Sequence, residues 1–142
     1  MRILSLLFLT FFLGKSCGNF SQKDMETAVI IYEANTKGYY GKVIVKNHTV
    51  SVTRERGGEL KTSKISDADW NYLVDEFRKV DLNTISNLKA PSEKRFYDGA
   101  AAANVTITFK GSTYVSSSFD HGNPPEEIKN LVNKIVSFIN GN

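Results

Sequence analysis

The chain has 142 residues, 41% of them hydrophobic and 23% charged, a composition that suits one folded domain of ordinary size and excludes a disordered tail or a two-domain protein. Its formal charge of +3 shrinks when Arg2 and Lys15, which sit in or beside an apolar leader, are set aside: 18 basic residues become 16 against 15 acidic, a net of +1. With Lys and Arg scattered along the rest, the chain offers no clustered basic face and so no electrostatic footprint for nucleic acid.

Arg2 precedes an apolar run over residues 3–13 (ILSLLFLTFFL) that is interrupted only by Ser5 and Thr10. As a helix such a run reaches about 16 Å, against about 30 Å of hydrocarbon in a bilayer, so it suits the core of a cleaved signal peptide rather than a permanent span. Cys17 is the single cysteine, and no intrachain disulfide can form. Gly14-Lys15-Ser16-Cys17 follows the apolar run directly and resembles the lipobox of bacterial lipoproteins. In that motif the cysteine becomes the lipidated first residue of the mature protein. Ser16 matches the pattern; Gly14 and Lys15 depart from it, which leaves ordinary cleavage with a free thiol as the alternative. The expected organisation is a signal peptide over residues 1–17, a polar tether over 18–27, and one domain over 28–142.

Residues 28–34 (AVIIYEA) are rich in β-branched and aromatic side chains and predict a strand. Residues 42–46 and 49–54 alternate apolar and polar positions around Asn47-His48, the pattern of a half-buried hairpin. Gly57-Gly58 supplies a tight turn, after which residues 60–65 return as a further strand. Ser66, followed by Asp69 three residues later, opens a helix whose Trp70, Leu73, Val74, Phe77 and Val80 share one face. Regular patterning then dissolves over residues 81–101, although residues 82–88 allow a helical turn; a stretch this long without structure of its own is often functional. Residues 104–109 and 113–119 predict a second hairpin around Lys110-Gly111. Asn123-Pro124 then starts a last helix with Ile128, Leu131, Val132, Ile135, Phe138 and Ile139 as its buried stripe. The expected fold is α+β: an antiparallel sheet of five to six strands covered by two amphipathic helices, in the order β-β-β-(β)-α-β-β-α.

Two segments carry candidate chemistry. In Phe119-Asp120-His121-Gly122, His121 can act as a general base oriented by a carboxylate, Asp120 or Asp98, with Ser116, Ser117 or Ser118 nearby. The bland reading of the same residues is a turn, and no nucleophile motif surrounds any of the serines. The second segment is the loop around Lys94, Arg95 and Tyr97, where a planar guanidinium stands beside amphipathic rings, a composition common on recognition surfaces. The two histidines, His48 and His121, lie far apart in sequence and Cys17 belongs to the leader, so no metal site is expected, and no cofactor motif is present.

The segments AVIIYEANTKGYYGKVIV, APSEKRFYDGAAAA and SSSFDHGNPPEEIKNLVNKI, together with the lipobox-like Cys17, resemble small secreted lipoproteins of Bacteroidetes-type bacteria. The resemblance implies an exported protein of the outer membrane or periplasm held by a lipid on Cys17, and it brings no activity with it. The expected role is a non-catalytic module that binds a protein or glycan; the alternatives are a small hydrolase using His121 and an inhibitor of an envelope enzyme.

Overall fold

The computed structural model describes residues 20–141. The expected signal peptide and Cys17 lie outside the described residues. The chain opens with a short helix α1 (Gln22–Thr27), followed by four strands, β1 (Val29–Thr36), β2 (Tyr39–Lys46), β3 (Thr49–Thr53) and β4 (Lys61–Lys64). Helix α2 (Asp67–Arg78) and two 3-10 turns, Ile85–Asn87 and Lys94–Tyr97, lead to strands β5 (Ala102–Phe109), β6 (Ser112–Val115) and β7 (Phe119–Asp120). A third 3-10 turn, Glu126–Ile128, runs into the last helix, α3 (Lys129–Asn140). No helix among these residues is long and apolar enough to cross a membrane.

All seven strands form one sheet in the order β4-β3-β2-β1-β5-β6, with β7 pairing β5 beyond the end of β6. Every pairing is antiparallel; the short hairpins β1–β2, β2–β3 and β5–β6 require it, and the distant β1–β5 pairing shares it. Two of those hairpins turn through residues with positive φ at both central positions: Asn47 at 42° and His48 at 61°, then Lys110 at 49° and Gly111 at 78°. This geometry matches the right-handed twist of the flanking strands.

The strand alternation read from the sequence sets one face of the sheet inward. Ile30, Tyr32 and Ala34 of β1, Val43 and Val45 of β2, and Val105 and Ile107 of β5 are buried under the helices. Trp70, Leu73, Val74 and Phe77 of α2 and Leu131, Val132, Ile135 and Ile139 of α3 close the core from the other side. Each large side chain so buried contributes roughly 1.5–3 kcal/mol. The architecture is therefore α+β, an antiparallel sheet with its helices on one face. On the opposite face Ile31 lies beside Ile44 and Thr106, and Ile44 beside Ser51, a half-exposed row that no helix among the described residues covers.

Three local features differ from the expected pattern. Residues 22–27, expected within a tether, are helical instead. Ser21 and Asp24 close a reciprocal capping box, Met25 is buried, and the Phe20 ring sits 5.0 Å from that of Phe77 and 5.7 Å from that of Phe109. The strand expected over residues 113–119 is broken, because Ser116 Oγ accepts the Val105 N–H and donates to the Ser117 carbonyl, replacing ladder bonds with side-chain ones. Asn123, expected as the cap of the last helix, donates instead to Ser92 Oγ, and the chain enters α3 through the 3-10 turn after Pro125.

The sheet's two edges are both poor templates for a further strand. β4 is four residues long with every side chain exposed and a lysine at each end. The other edge is interrupted between β6 and β7.

Candidate functional site

The residues singled out in the sequence converge at one end of the sheet, where β5 begins and β7 finishes. Asp120 lies on β7 opposite Ala102, and its side chain is only 2% exposed. A buried carboxylate is costly unless its oxygens are satisfied, and here the 92–97 segment satisfies them. Asp120 accepts from Ser92 Oγ at 2.6 Å, from the backbone N–H groups of Lys94 at 2.8 Å and Arg95 at 3.0 Å, and from Arg95 Nη1 at 3.1 Å. Burial pushes the Asp120 pKa up, but these donors outweigh it and bring the group down to about 2. It is a carboxylate at any physiological pH.

Arg95, expected as a solvent-facing donor fork, is buried instead, with its side chain 9% exposed. Its Nη1 also donates to the Ser92 carbonyl at 2.7 Å, while its buried Nε–H has no partner among the described residues. The physical reason is charge pairing: a desolvated carboxylate recruits the nearest cation whose geometry allows several donors. Arg95 therefore anchors the loop to Asp120 and Ser92.

Above this anchor the loop turns outward. Phe96 and Tyr97 are 72% and 71% exposed, the most exposed large apolar side chains among the described residues. The Arg95 guanidinium lies 4.4 Å from the Phe96 ring centroid, so it backs one side of the ring. The Tyr97 ring lies over Gly99: a methyl group there would fall 2.9 Å from Tyr97 Cε2. Glu93, Lys94 and Asp98 around the pair are exposed and polar. Asp98 ends the 3-10 turn in the left-handed region, at φ 59°.

His121 follows Asp120 in the chain, but the two side chains do not form a catalytic pair, since the carboxylate oxygens are taken by the 92–97 segment. His121 Nδ1 lies 2.7 Å from the hydroxyl of Tyr32, a residue 0% exposed. Burial raises the Tyr32 pKa, so the phenol keeps its proton, and which group donates follows the tautomer of the imidazole. Burial also lowers the His121 pKa and favours its neutral form. The Tyr39 ring lies tilted by 32° beside His121 with centroids 4.7 Å apart, and its buried hydroxyl, unpartnered among the described residues, lies over Gly41. Of the candidate nucleophiles, Ser116 is locked into the edge of β5 and Ser117 donates to the Leu88 carbonyl at 2.5 Å. Neither Ser116 nor Ser117 bonds to His121 or to Asp120. Among the described residues no three His, Cys, Asp or Glu side chains gather as metal ligands.

A separate groove of about 680 Å3 runs between β3, β4 and the end of α3, with Val50, Val52, Ile65 and Phe138 in its walls. It contains none of the candidate site residues Asp98, Asp120, His121, Lys94, Arg95 and Tyr97. Its charges of both signs are partly engaged, Arg54 with the Ile139 carbonyl and Asp69 with Lys134. Reading the chain alone missed Ser92, Tyr32 and Tyr39. Tyr32 carried a signal, since a tyrosine at an inward strand position needs a partner for its hydroxyl.

No protein-family model, no curated protein and no solved structure matches the chain.

Proposed function

We propose that the protein is an exported, lipid-anchored module of the cell envelope that binds a partner without catalysing a reaction. The observation that carries this reading is the 92–99 loop: a buried ionic anchor holds two outward aromatic side chains in place before any partner arrives. Ordering a loop on binding costs free energy, and a loop already fixed by Asp120 avoids most of that cost. Large rigid rings on such a loop are the side chains that dominate recognition energetics. Against catalysis stand the carboxylate of Asp120 and the hydroxyls of Ser116 and Ser117, which are already engaged in structural hydrogen bonds.

Anchoring rests on the sequence of the leader, and the intact mass of membrane-extracted protein reads both the cleavage site and the acyl chains on Cys17. For the binding role, the full-length protein is used to capture partners from envelope extract beside a Phe96→Ala/Tyr97→Ala variant. Both rings are exposed, so the variant keeps its fold. The expected result is a partner retained by the parent and lost by the variant; equal capture by both overturns the role of the loop. A captured enzyme that loses activity in the complex would make the module an inhibitor.

A further inference from the structure

We infer that the Phe96–Tyr97 pair is a stacking surface for the sugar rings of a glycan. This inference rests on the binding-module reading and narrows its partner. The geometry that points there is one-sidedness. Phe96 is backed by the planar Arg95 guanidinium at 4.4 Å, Tyr97 is backed by Gly99, and both rings are otherwise open to solvent. A ring that anchors a protein interface ordinarily sits in a well-packed pocket within an apolar patch that excludes water from all its sides. Here the residues beside the pair in the chain, Glu93, Lys94 and Asp98, are all exposed and polar. A pyranose suits this arrangement. The C–H groups of one sugar face pack on an aromatic plane, while the hydroxyl groups at its edge need polar atoms around that plane.

The support behind each ring is itself secured. Arg95 cannot swing away without breaking its bonds to Asp120 and Ser92, and Gly99 is the one residue type that leaves room for the Tyr97 ring. Gly99 lies outside the positive-φ region, so a methyl there meets no φ penalty; its shortest contact, 2.9 Å, is with the Tyr97 ring, and the Lys94 Cβ and carbonyl follow at 3.2 Å. Gly99→Ala therefore moves Tyr97 without removing it. A purely hydrophobic contact tolerates that shift better than a stacked one does, because stacking depends on the plane.

The test titrates the full-length protein with chitotriose, cellohexaose, maltohexaose and muropeptides released from peptidoglycan, read by saturation-transfer NMR and calorimetry. The expected result is binding of at least one of them, with saturation concentrated on the ring C–H protons of one sugar face. Phe96→Ala or Tyr97→Ala then weakens the affinity roughly tenfold, and Gly99→Ala weakens it severalfold, at unchanged melting temperature. If no probe binds, or if binding survives the double alanine variant, the inference is overturned. Ring-dependent capture of a protein from envelope extract, with no saccharide bound, removes the glycan and leaves the binding module standing. If capture is also insensitive to the rings, the module reading fails with it.

Discussion

At the level of single residues, Asp120 holds the 92–97 segment to the sheet. Removing its charge leaves the Arg95 guanidinium buried and unpaired, so Asp120→Asn is expected to lower unfolding free energy by about 3 kcal/mol in a urea titration. The pH dependence has a definite sign. The folded carboxyl titrates at about 2, below the ~3.9 of an unfolded aspartate, so its contribution is complete above about pH 4 and is lost as pH falls through 2. Asp120→Asn is expected to flatten that acid limb. His121 acts in the same direction at milder pH: its folded pKa is lowered by burial, so the stability it supports declines as pH falls below the ordinary imidazole value. The sequence singled out Asp120 and His121 as either a catalytic pair or a plain turn, and Arg95 as part of a recognition loop, without the contacts that they make. Adjacent in the chain, Asp120 and His121 look like a pair. The real partner of Asp120 stands 25 positions away, and only the folded path brings the two together.

At the level of elements, α2 and α3 were legible because twelve residues each give an apolar stripe more than three turns to repeat. The hairpins were legible from alternation and from Lys110-Gly111. α1 was not, since six residues complete less than two turns and show no period, and only the Ser21–Asp24 spacing announced it. Its docking nevertheless contributes to stability. Met25 is 1% exposed, and Met25→Ala is expected to cost about 2–3 kcal/mol in the same urea titration. A cost below 0.5 kcal/mol would mean that α1 rests on the surface rather than in the core. The break between β6 and β7 was also invisible, because a serine hydroxyl that replaces a ladder bond leaves no mark on the hydrophobic pattern.

For the molecule as a whole, strand β5 sets a useful distance. Phe20, through which the chain enters the domain, packs near Phe109 at one end of β5, and the Phe96–Tyr97 loop is fixed through Asp120 near Ala102 at the other. The eight residues of β5 separate those ends by about 23 Å. A chain held through residues ahead of Phe20 would therefore present its aromatic loop on the far side from the attachment. With Tyr97→Cys, a membrane-impermeant maleimide is expected to react equally fast with membrane-bound and detergent-released protein, the parent chain serving as blank; protection on the membrane would contradict that orientation. The fold class was readable because strands and helices alternate in blocks, whereas the end at which the loops meet depends on pairings distant in sequence. The lysine-ended β4 and the interrupted margin opposite it have a further consequence where molecules crowd together on a surface. Neither border favours neighbouring copies zipping into a shared ribbon through their strands, even at close quarters.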